Sequence, residues 1–158
     1  MSAERDLLRH IVATIAYRGG KALRDAPAGF GEVRAGPRSR SAVGILAHIG
    51  DLFDWCLGLA DGTHRWSNTK SDDWDGQVAR FHAGLAALDA RFASDEPLGM
   101  DATRLIQGPL ADSLTHIGQI SLLRGIAESP VRGENYFKAE VEVGRTGPEQ
   151  NPPVFEFD

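Results

Sequence analysis

Between residues 4 and 23 the apolar side chains Leu7, Leu8, Ile11, Val12 and Ile15 recur at three- and four-residue steps, as one buried helical face requires. A first helix is therefore expected from Glu4 to Leu23, weakened at Gly19-Gly20. Residues 25–39 carry Pro27, Gly29, Gly31, Gly36 and Pro37, which interrupt regular structure and predict a connection longer than a tight turn. A second helix is predicted over 41–59, with Ile45, His48, Leu52, Trp55 and Leu59 on one stripe and Gly44, Asp51, Asp54 and Gly58 on another. The polar stretch 61–71 leads into Ser71-Asp72-Asp73, a helix-capping sequence. The third helix follows with the cleanest seam in the chain: Trp74, Val78, Phe81, Leu85, Leu88 and Phe92. Pro97 and Gly99 end it.

A short lead-in at 101–106 precedes Gly108-Pro109, and a proline suits a first helical turn because its missing N–H would be unpaired there. The fourth helix is expected to continue to about Glu128, with Leu110, Leu114, Ile117, Ile120, Leu123 and Ile126 as apolar positions. Beyond Ser129, seven Pro and Gly residues from Pro130 to Pro153 exclude another long helix; Val141, Val143, Val154, Phe155 and Phe157 are expected to pack an extended arm onto the bundle. The fold class is all-α: a single domain over 1–158, made of a four-helix bundle core (4–128), an irregular loop after helix one and a C-terminal arm (129–158).

Composition narrows the function classes. With 17 basic against 22 acidic side chains, net charge −5, the 158-residue chain offers no broad cationic surface to nucleic acid or anionic lipid. The charged start Ser2-Ala3-Glu4-Arg5-Asp6 does not fit a secretory signal, and no apolar run approaches a membrane span, so a cytoplasmic protein is expected. Cys56 is the only cysteine, which leaves imidazole, carboxylate and amide groups to build any metal site. It is expected to be a buried, inert thiol.

Asp112 and His116 stand four apart on the fourth helix, so their side chains leave the same face with Cβ atoms roughly 6 Å apart. His48 lies on the apolar stripe of helix two and completes a two-histidine, one-carboxylate set if those helices are neighbours. Three ligands leave coordination positions open for water or substrate. The same residues also suit a metal-free buried polar network in a structural or small-ligand-binding bundle. Gln119, one turn beyond His116, is placed to orient a ligand or bound water and so to contact a cofactor, or else to sit in the core with its amide satisfied.

The segments Ile45-Leu46-Ala47-His48-Ile49-Gly50-Asp51-Leu52 and Asp112-Ser113-Leu114-Thr115-His116-Ile117-Gly118-Gln119-Ile120 resemble those of the DinB-like metal-binding four-helix bundles. That family takes one histidine ligand from helix two and a pair four apart from helix four, followed by Gly-Gln. The resemblance covers the chain to about Glu128; His48 and His116 match, while Asp112 stands where the family usually has histidine. It implies a divalent ion, nickel or zinc, held by His48, Asp112 and His116, and a homodimer. It also implies a metal-dependent transferase using a low-molecular-weight thiol such as mycothiol or bacillithiol, or a hydrolase, acting on a small-molecule substrate.

Arg34, Arg38 and Arg40 form a basic knot before helix two; Arg38 is the expected cofactor contact, against the plainer reading of a solvated loop. His64 and Trp66 are expected to pack on the surface. His10 and His82 fall on no seam with another ligand.

Overall fold

The computed structural model describes residues 2–158. Four long helices form an all-α bundle: α1 (Ala3–Leu23), α2 (Ala42–Ala60), α3 (Trp74–Ala93) and α5 (Ala111–Ile126), with a one-turn α4 (Ala102–Leu105) leading into α5. Side chains fix the starts of the first three. Ser2 accepts from Arg5 N–H, Ser41 from Gly44 N–H, and Asp73 from Gly76 N–H, each supplying one of the acceptors that the first helical turn lacks. The predicted cap before the third helix is thus Asp73. Between α4 and α5 the chain does not simply restart; residues 106–110 form a wide turn in which Gly108 leaves helical geometry (φ −91°, ψ −105°). Pro109 lacks the N–H that a regular helix would use here. Such wide turns recur beside functional sites.

Around the bundle, α3 packs against both α2 and α1, and α5 packs against both as well, so α1 and α2 stand diagonally. The long connection over 24–41 spans that diagonal. The core holds Leu8, Val12, Ile15, Ile49, Phe53, Phe81, Leu85, Leu88 and Phe92, all essentially inaccessible. Gly19 is buried within α1 because Phe81 and Ile117 rest on its backbone; a Cβ there would lie 2.3 Å from Phe81 Cζ. Gly19 therefore serves close helix packing.

Three expectations need correction. Leu7 is 56% exposed, so the buried face of α1 is narrower than the five-residue repeat implied. The arm's Val143, Val154, Phe155 and Phe157 are exposed, and the arm is fastened instead by polar contacts. Buried Glu134 accepts from Tyr17 Oη at 2.6 Å and pairs with Lys21 Nζ at 2.7 Å, Lys21 also pairs with Glu156, and β1 (Gly133–Glu134) meets β2 (Glu156–Phe157) antiparallel. Finally, α2 is long and apolar enough to cross a membrane by length and composition, yet 67% of that stretch is buried within the bundle, as in the core helix of a globular fold.

Candidate metal centre

Because α2 and α5 pack side by side, His48 from the middle of α2 meets Asp112 and His116 from the first turns of α5. One potential ligand atom from each lies within 4.8 Å of the other two. Asp112 Oδ1 is 3.5 Å from His116 Nε2, and Oδ2 is 3.9 Å from His48 Nε2. Both separations exceed a normal hydrogen bond. A tetrahedral ion with ligands at ~2.1 Å would space its donors about 3.4 Å apart, so donors within 4.8 Å of one another must draw in by up to about 1.4 Å to share one cation.

The protonation pattern suits ligation. His116 Nδ1 lies 2.8 Å from Gln119 Oε1; with the proton on Nδ1 the ring donates to the amide oxygen, and Nε2 keeps its lone pair toward Asp112. Burial, with the positive charge of Arg40 and the neighbouring His116, lowers the pKa of His48 against the opposing pull of Asp112 and Asp51. His48 is then neutral at neutral pH, and its contact with Asp112 carries no ion-pair energy.

Aromatic rings wall the site. His48 meets His116 edge to face at 4.6 Å between centroids and meets Trp66 at 5.6 Å; Trp66 also packs edge to face on Trp55. Trp66 is therefore more than a surface residue, although half of it faces solvent. Its loop is tied down by Asp51, which sits 2% exposed on α2 and accepts from Thr69 N–H at 2.8 Å, Thr69 Oγ1 at 2.6 Å and Arg80 Nη2 at 2.8 Å. Burial alone would raise the Asp51 pKa, but the Thr69 and Arg80 hydrogen bonds outweigh it and hold it below its ordinary value. Arg80 lies over Gly50, where a Cβ would come within 2.7 Å of the guanidinium.

Three cavities surround the donors. One of about 240 Å³ reaches His48 and is lined by Arg34, Arg40, Thr69 and Lys70. A second of about 390 Å³ reaches His116 and Gln119 and is walled by Ile45, Leu122 and Leu123, with Arg40 again at its edge. The third, about 330 Å³, lies between Trp55, the wide turn and Asp112. The Asp112 side chain is 48% exposed, so the donor set opens to solvent on that side.

Of the residues singled out from the sequence, the fold brings together His48, Asp112, His116 and Gln119. Arg38 is exposed and lines neither the His48 nor the His116 cavity; Arg40 borders both. His10 is exposed and His82 Nδ1 faces the Thr146 carbonyl at 3.0 Å, so both belong elsewhere. Cys56 is fully buried, and burial pushes its thiol pKa up to about 12. Asp51, Lys70 and Arg80 were missed; the only sequence signal for Asp51 was a carboxylate inside a largely apolar helix. Comparison with family models, curated proteins and solved structures finds no match to this chain.

Proposed function

We propose that this protein is a divalent-metal-binding bundle of the DinB-like kind, with nickel or zinc held by His48, Asp112 and His116. The observation that carries the reading is the gap between the donors: Asp112 stands 3.5 and 3.9 Å from two imidazole nitrogens and hydrogen-bonds neither. A metal-free polar network would close those gaps to roughly 2.8–3.0 Å, whereas a shared cation fills them. The donor set fits such an ion: two imidazoles, one carboxylate, and Gln119 fixing the tautomer of His116.

A bound divalent ion supplies Lewis acidity, lowering the pKa of a coordinated thiol or water. The chain's own groups do the rest. Gln119 holds His116 in register, Trp66, backed by Trp55, shields His48, and the open side at Asp112 admits a second molecule. Taken with the family resemblance, the proposed activity is metal-dependent transfer of a low-molecular-weight thiol to an electrophile, in the cytoplasm, by a homodimer.

Metal analysis of protein purified without a histidine tag tests the site. About one equivalent of nickel or zinc is expected per chain, and His48→Ala should lose it, weakening affinity by about a thousandfold, ~4 kcal/mol. Wild-type protein that takes up no ion when offered either metal would refute the assignment. Thiol consumption against a panel of electrophiles, with and without the metal, then tests the transferase activity.

A further inference from the structure

The cavity beside His48 is unusual in its charge balance. Acids outnumber bases in the chain, and many cations are matched: Arg9 with Asp89, Lys21 with Glu134, Arg80 with Asp51, Arg91 with Asp61, Arg132 with Glu156, Arg145 with Glu142. Arg34, Arg40 and Lys70 converge on one cavity that no carboxylate lines. Arg34 donates only to the Ser39 carbonyl, and Arg40 and Lys70 have no hydrogen-bond or ion-pair partner among the described residues. The three cations come from two connections, one before α2 and one after it, and the Asp51 contacts to Thr69 fix the second beside the first. Converging cations without counter-charges repel one another, a cost that an anion between them removes. Arg40 also borders the apolar cavity under Ile45, Leu122 and Leu123, so the basic and greasy spaces adjoin around the metal donors.

We infer that the substrate is a small organic anion, its acidic group held by Arg34, Arg40 and Lys70 and its apolar body lying along Ile45, Leu122 and Leu123 beside the metal centre. The placement beside a metal rests on the proposed function; anion binding itself does not. Arg40 is the specificity-determining residue because it touches both spaces. The cavity of about 240 Å³ accommodates a carboxylate or a phosphate group, so the shared chemistry is the negative charge.

The test is calorimetric titration of the full chain, zinc-loaded and chelator-treated, with hexanoate, hexyl phosphate, acetate, inorganic phosphate and hexanol. At least one six-carbon anion should bind about tenfold or more tightly than hexanol, and more tightly than its tailless counterpart. The tighter of the two identifies the headgroup, and equal affinities mean that charge alone is read. The Arg40→Gln/Lys70→Gln variant should lose the advantage over hexanol, and Arg38→Gln should keep it; both alter exposed side chains, and circular dichroism verifies folding. Hexanol binding as tightly as both anions, the double variant retaining the preference, or acetate matching hexanoate and phosphate matching hexyl phosphate would overturn the inference. His48→Ala separates the two readings. In this variant, metal retained with the anion preference intact defeats only the metal assignment, whereas wild-type protein that binds metal but shows no anion preference defeats this inference alone.

Discussion

Two polar constellations lie one helical turn apart on α2 and differ in how completely they are bonded. Around Asp51 the partners are closed: two contacts from Thr69, one from Arg80, and a second carboxylate, Asp54, on the same guanidinium. Around His48 the donors stand apart, share no hydrogen bond with Asp112, and look out onto cavities. A buried charge with its partners in place holds the fold, because removing one partner strands the other. An array of lone pairs with space between them gains little for the fold and leaves capacity for a ligand. The two also differ in exposure, since Asp51 is 2% exposed and the Asp112 side chain 48%.

The sharpest way to break this contrast is by stability. Asp51→Ala should cost about 3 kcal/mol in urea denaturation, because Arg80 and the Thr69 loop lose their common acceptor. In chelator-treated protein, Asp112→Ala should change stability by no more than about 0.5 kcal/mol. Equal losses would erase the distinction. Next in size, Gln119→Ala should weaken metal affinity about 10- to 100-fold by freeing the His116 ring, without altering the metal-free protein's melting temperature; competition with a chromogenic chelator measures it, and an unchanged affinity would remove Gln119 from the site.

The smallest expected effect is on pH dependence. The Asp51 pKa is depressed on folding, so its stabilisation is full above the ordinary carboxylate value of about 3.9 and is lost as pH falls through the lower folded value. Denaturation profiles from pH 6 downward should therefore fall more gently for Asp51→Asn than for the wild type. Parallel profiles would mean that this carboxylate does not carry the acid sensitivity of the loop.

The sequence carried the helices because their seams are local: Phe81, Leu85, Leu88 and Phe92 repeat at helical steps and are all buried. The candidate metal ligands were legible for a related reason, since Asp112 and His116 sit one turn apart and His48 interrupts an apolar stripe. What escaped depends on distant chain. Asp51 reads as part of a polar stripe until residues 61–73 fold across it, and Arg80 reads as a surface arginine until α3 packs on Gly50. The arm's aromatics matched a packing pattern, but Tyr17 and Lys21, more than 100 residues earlier, decide where it attaches. Arg38 and Arg40 are indistinguishable by composition, and only the direction of the chain entering α2 separates them.

Arg124 ties two of these distant pieces together. Its guanidinium, 5% exposed, donates to the carbonyls of Ala22, Arg24, Asp25 and Ser129, at the ends of α1 and α5, next to Asp25 and Glu128 in left-handed conformation. The loop that bears Arg34 and Arg40 and the arm that bears Glu134 thus depart from a single electrostatic rivet. Their roots share that anchor, so loss of Arg124 would register at the mouth of the anion cavity as readily as in the tail.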